Sequence, residues 1–185
     1  MKTFINIIAF YAVWFGCIVG AARGGAELGL AAAAIGVVIH LTVIRRGARE
    51  AGLLVACGGL GTVFDSAMMR MGAISFPGAA AEAWLCPAWM TALWVAFATL
   101  LNVSLTWLRG RPWVAAALGA VGGPASYYAG QRLGAILLGQ PWMRGIGLVG
   151  LEWAVAMPLL VWLAARSETD TGQANAAGTT TTQAE

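Results

Sequence analysis

Asp65 and Glu152 are the first residues from which chemistry is expected, because each is an acid set inside a long apolar run. An ionisable group at membrane depth is costly to hold and marks a candidate site in need of a partner. Two such carboxyls can bind and release protons, or act as general acid and base. Asp65 shares a helical face with Gly61, Thr62, Met68 and Met69, a small and semi-polar strip that points to a bundle interior. Arg70 lies about 140° round the same helix, so the partner of Asp65 is expected from another helix.

By depth, Arg70, Tyr127, Tyr128, Gln131 and Arg132 converge with the two acids on the outer half of the chain. They are expected to line a polar cavity and contact a substrate, with Arg23 and Glu27 at its rim. The competing expectation is a structural acid–arginine pair that only fixes helix register. A second polar set, Asn6, His40, Asn102, Ser104 and Thr106, falls near the opposite helix ends. His40, Asn102 and Ser126 are assigned to interhelical hydrogen bonding, which stabilises membrane bundles by about 0.6–2 kcal/mol per bond. The lone His40 and the dispersed Cys17, Cys57 and Cys86 lack metal-ligand spacing. No phosphate cradle or nucleophile triad is present either, so no metal or cofactor is expected.

The elements that must carry these groups follow from composition. Of 185 residues, 59% are apolar and 10% charged, too few charges to cover a soluble domain. Disordered, collagen-like and disulfide-stapled classes fail on the same figures. Ten of the eleven basic residues are arginines scattered at the ends of apolar runs, which excludes a nucleic-acid surface. An all-α, polytopic transmembrane bundle remains. A span needs about 20 apolar residues, and six are read: 4–22, 28–44, 51–71, 84–108, 113–129 and 145–164. Lys2, Arg45, Arg46, Arg49, Arg109, Arg111 and Arg166 lie on one side, against Arg23, Arg70, Arg132 and Arg144 on the other. The richer side should be cytoplasmic, with both termini inside.

The first run is long for a cleaved signal, and its Gly16–Gly20–Gly24 ladder suits helix packing, so it is read as a span. Residues 1–166 are read as the membrane domain and 167–185 as a disordered cytoplasmic tail, since the latter have no apolar period. Gly122-Gly123-Pro124 should kink or break the fifth span, because proline removes an amide donor and clashes with the preceding turn. That span is expected at the centre of the bundle. Its exposed backbone would need protein or a wet cavity beside it. Comparison of 1–92 with 93–166 reveals no shared motif, so an inverted repeat is not supported.

The segments Ser75-Phe76-Pro77-Gly78, Leu101-Asn102-Val103-Ser104-Leu105-Thr106-Trp107-Leu108 and Gly122-Gly123-Pro124-Ala125-Ser126-Tyr127, with Asp65 before them, carry a family resemblance. Over about residues 4–165 the chain resembles the bacterial inner-membrane family of unknown function 2878. The resemblance implies a multi-span protein of the bacterial inner membrane and brings no established reaction. It also implies an association with fatty-acyl modification. Membrane lipids are therefore the expected partners, with a membrane protein or lipid-modifying enzyme as a further one.

Three functions follow as expectations. The first is lipid handling or modification through the outer polar cavity, enzymatic or accessory. The second is a small proton-coupled transporter or lipid translocase using Asp65 and Glu152. The third is a membrane scaffold.

Overall fold

Long runs of Ala, Leu, Val and Ile free of interior charge become helices whose backbone groups are satisfied within the segment. The computed structural model describes residues 2–44, 47–80 and 83–181. Arg45 and Arg46, counted above toward the basic side, and residues 182–185 of the tail lie outside the described residues. Six α-helices occur among the described residues: α1 (Lys2–Ala22), α2 (Ala26–Ile44), α3 (Gly47–Arg70), α4 (Ala88–Leu101), α5 (Pro112–Arg132) and α6 (Trp142–Thr181). The architecture is all-α, and α1, α2, α3 and the Trp142–Ser167 part of α6 are long and apolar enough to cross a membrane. The composition break at Ser167 thus falls within α6 rather than at its end.

The helices associate as three sequential hairpins, α1–α2, α3–α4 and α5–α6. Their first members end alike. After α1, Gly24 adopts a φ of +74°, Gly25 N–H reaches Gly20 C=O at 2.8 Å, and Gly24 N–H reaches Ala21 C=O at 3.3 Å. This pair of reversed bonds satisfies the terminal carbonyls, and it needs a residue tolerant of the left-handed conformation. Gly72 after α3 and Gly134 after α5 make the same two bonds, with Ala73 and Ala135 in the role of Gly25.

The last two caps belong to a direct repeat. Arg70-Met71-Gly72-Ala73-Ile74 matches Arg132-Leu133-Gly134-Ala135-Ile136, one copy in each half of the chain. In this alignment Gly61 corresponds to Gly123, Asp65 to Tyr127 and Ser75 to Leu137. Strands β1 (Ile74–Ser75) and β2 (Leu137–Leu138) form a short antiparallel ladder in which Ser75 pairs with Leu137. Pairing of equivalent residues in an antiparallel ladder places a local two-fold axis between them. The expectation that the halves share no motif is therefore corrected: they share this one, in a direct repeat.

Two further expectations change. The fourth apolar run, 84–108, is helical only over the 14 residues of α4. At about 1.5 Å per residue α4 is well short of a bilayer's hydrocarbon thickness. Pro87 precedes the helix, and after it the amides of Ser104 and Leu105 both turn back to Leu100 C=O, ahead of a 3₁₀ turn at Thr106–Leu108. The flanks Asn102 and Ser104 are buried against protein, where irregular backbone is tolerated. α4 contacts α1, α2, α3 and α6, and it, rather than α5, is the enclosed element.

The Gly122-Gly123-Pro124 break does not occur. α5 is helical from Pro112 to Arg132 with Pro124 inside it. The proline removes one donor, which leaves Ala120 C=O beside Gly150 of α6, where a Cβ would stand 3.4 Å away. The helix survives because its glycines press it onto α6. A Cβ at Gly119 would overlap the Trp153 backbone, and one at Gly123 would overlap the Trp153 ring.

Candidate functional site

Asp65 is fully buried, at 0% exposure. Its position on α3 follows from the glycine four residues earlier: a Cβ at Gly61 would overlap the ring of Trp94, so α4 sits close. Trp94 Nε1 then donates to Asp65 Oδ2 at 2.6 Å. The other oxygen, Oδ1, accepts a short hydrogen bond from the Tyr127 hydroxyl on α5. Both partners come from helices other than α3.

The second hairpin repeats the arrangement. Gly123 takes the place of Gly61, Trp153 that of Trp94 and Tyr127 that of Asp65. Trp94 and Trp153 stack with ring centroids 4.5 Å apart and planes 14° from parallel. Trp153 Nε1 is buried near the Tyr127 hydroxyl without closing a hydrogen bond of ordinary geometry. Trp153 packs against both apolar clusters of the core, one containing Ile18, Ile74 and Ile136 and the other Leu54, Leu101 and Leu160.

Glu152, the residue before Trp153, is 5% exposed and within electrostatic reach of both Asp65 and Tyr127. Neither of its carboxyl oxygens has a hydrogen-bond partner among the described residues. Leu93 holds the corresponding place before Trp94. Among the described residues no arginine or lysine pairs with either acid.

The expected convergence of the outer polar groups therefore divides. Asp65, Tyr127 and Glu152 come together. Arg70 is exposed and lies over the Trp84 ring, 4.2 Å from its centroid. Tyr128 and Arg132 are exposed and meet each other, Nη1 to Oη at 3.5 Å. Gln131 Oε1 accepts from Leu138 N–H at 2.8 Å and so ties α5 to β2. Arg23 and Glu27 are exposed at the α1–α2 turn. A charged side chain that can reach water stays there, because burying it beside an acid means losing its hydration. The acids are lined instead by aromatic groups.

At the opposite end, His40 and Asn102 share a centre that the sequence reading did not identify, Glu50. This residue is 2% exposed in the first turn of α3. His40 Nε2 and Glu50 Oε1 are 2.8 Å apart, Asn102 Nδ2 donates to Glu50 Oε2 at 2.8 Å, and Arg109 donates to Asn102 Oδ1 at 2.6 Å. Ser104 donates to Asn6 Oδ1 at 2.7 Å, and Asn6 Nδ2 donates to Thr99 C=O at 3.3 Å. Ser126 accepts from Trp14 Nε1 at 3.1 Å and joins α5 to α1. Glu50 was hidden by its place at the end of an arginine-rich link that reads as solvated. The tryptophans were hidden by their number, nine, which fits interface belts.

Chemically, the Asp65 site can hold and exchange protons. Two carboxyls and a phenol lie buried together, with no fixed cation beside them among the described residues. No curated protein and no solved structure matches this chain. The sequence model of a family described as protein of unknown function (DUF2878) matches residues 3–159, and the chain belongs to that family.

Proposed function

We propose that this protein handles membrane lipids as a proton-linked translocase of the bacterial inner membrane, with Asp65, Tyr127 and Glu152 as its proton-exchanging site. The observation that carries this reading is Glu152, a buried carboxyl with no hydrogen-bond partner among the described residues, beside an acid that already has two donors. A buried carboxyl left without a partner is available to exchange a proton when water or a substrate group reaches it. The site also straddles the two repeated hairpins. In carriers built from repeats, substrate and coupling-ion sites lie at the repeat interface, and motion of one repeat against the other exposes them alternately.

Six crossings with both termini cytoplasmic go with this reading; α4, too short to span alone, makes its crossing together with residues 102–108, enclosed by α1, α2, α3 and α6. A reporter fused at Gly110 should then be cytoplasmic, and an external signal there would reverse the side assignments. Lipid modification by the same acids is the second reading. It rests on Glu152 being free to donate a proton to a substrate.

Reconstitution in vesicles tests the proposal. Wild-type protein should move a fluorescent lipid across the bilayer faster under an imposed pH gradient, and Glu152→Gln and Asp65→Asn should lose that acceleration at normal folded yield. Loss of yield in both variants would leave a structural pair. Gradient-independent behaviour combined with altered lipid composition in cells would favour modification over translocation.

A further inference from the structure

The helices α1 and α2 are held together at one end by small residues. A Cβ at Gly29 would overlap the Cys17 backbone, and one at Gly20 would come within 2.8 Å of Gly25 C=O. Toward their other ends lies a groove of about 190 Å³ between the two helices, floored by α4. Phe10, Val13, Val37 and Ala96 make it apolar. At the end nearest the start of α1 the lining turns polar, with Lys2, Asn6, Thr99 and His40.

His40 belongs to this lining yet is only 8% exposed, because Glu50 holds its Nε2. Its Nδ1 has no protein partner among the described residues. The groove thus combines an apolar channel with a buried, pre-oriented hydrogen-bonding group at its end. A structural role for His40 accounts for one ring nitrogen only.

We infer that this groove binds the acyl chain of a single-chain anionic amphiphile, with the headgroup against Lys2 and His40. The size argues for one chain, since the groove is smaller than the roughly 300–1,000 Å³ typical of pockets for drug-sized ligands. The sign of the headgroup follows from Lys2, the one side chain among the described lining residues that carries a fixed charge. Entry is from the bilayer, because the lining residues Ile5, Ile39 and Val43 are exposed on apolar helices. Desolvated apolar contact along the chain supplies affinity, and the polar end fixes its depth. The groove shares no residue with the Asp65 site and does not rest on the proton reading.

Photolabelling of the full-length protein in nanodiscs of neutral lipid tests this, with palmitate carrying a diazirine near its methyl end as the probe. Labelling should saturate and concentrate on Phe10, Val13, Ala33 and Val37, at the end of the groove away from Lys2 and His40. Ala9→Phe places a ring in the groove from an exposed lining position outside the core, and should cut labelling about tenfold. Lys2→Gln should weaken binding about threefold to tenfold, and the methyl ester of the probe should label as weakly. Non-saturating label spread over all bilayer-facing helices, or label unchanged by Ala9→Phe, would overturn the site. Equal labelling by the ester would overturn the anionic headgroup. Competition by an unlabelled two-chain anionic phospholipid as strong as by palmitate would overturn the single-chain assignment. Binding is read without transport, so it stands or fails separately from proton-linked activity.

Discussion

Tyr127 donates its hydroxyl proton to Asp65 across two hairpins in which the two residues hold the same position. Equivalent positions near a two-fold axis meet each other, and two acids there would repel at close range. A phenol opposite a carboxylate turns that meeting into a donor–acceptor bond. The same symmetry stacks Trp94 on Trp153. Glu152 is the departure, since its counterpart Leu93 is apolar and buried. What symmetry explains is structural. What breaks it is the better candidate for function.

A separation of roles between Tyr127 and Glu152 follows. Tyr127→Phe leaves one Asp65 oxygen without its donor and should lower stability by about 1–3 kcal/mol, the cost of an unsatisfied buried acceptor. Glu152→Gln breaks no hydrogen bond to a described residue and should stay within about 1 kcal/mol of wild type. Unfolding in mixed detergent micelles measures both. Equal destabilisation would mean that Glu152 holds the bundle together, and the proton assignment would lose its basis.

Glycines one or two positions apart should respond oppositely to the same substitution. Gly122→Ala and Gly59→Ala add a methyl in open space and should be neutral or stabilising by up to about 1 kcal/mol. Gly123→Ala and Gly61→Ala drive a methyl into the rings of Trp153 and Trp94 and should cost about 1–3 kcal/mol or more. Thermal melting of the four variants checks this, and a uniform response would contradict the close α3–α4 and α5–α6 approach.

The class of the fold was legible in the sequence because scarce charge and long apolar runs report directly on the solvent. The short α4 was not legible, since hydropathy counts Leu105, Trp107 and Leu108 as readily as the residues of a helix. What ends the helix is the commitment of Asn102 to Glu50 and of Ser104 to Asn6, contacts between distant parts of the chain. Asp65 and Glu152 were legible as isolated acids and Tyr127 as a group at their depth, but Trp94 and Trp153 were not. Periodicity gives the face of one helix and says nothing about which helix it meets. The repeat became visible once the caps at Gly72 and Gly134 supplied its register.

Glu50 should be the most sensitive polar residue at the His40 end. Glu50→Ala removes the acceptor of both His40 and Asn102 within a buried network, and such losses cost about 3–5 kcal/mol. The folded fraction recovered in detergent should fall sharply, whereas Glu50→Gln, which keeps an acceptor oxygen, should recover part of it. Full yield from Glu50→Ala would show that the network does not hold α2, α3 and the end of α4 together.

The clasp between the hairpins offers a direct test of motion. Ser75 and Leu137 face each other in the antiparallel ladder with both side chains exposed. Paired residues in such a ladder have Cα atoms about 4.5–5.5 Å apart, within the roughly 4.4–6.8 Å that a disulfide spans. With Cys17, Cys57 and Cys86 replaced by alanine, Ser75→Cys with Leu137→Cys should therefore cross-link readily on oxidation. Because the pair lies on the pseudo-axis, the link permits small rotation about it but forbids the hairpins from parting at that end. A carrier that opens there should stop on oxidation and recover on reduction, with its fold and its palmitate labelling intact. Full transport by the oxidised protein would mean that the two hairpins act as one rigid body, and access to Asp65 and Glu152 would then have to come from within the bundle.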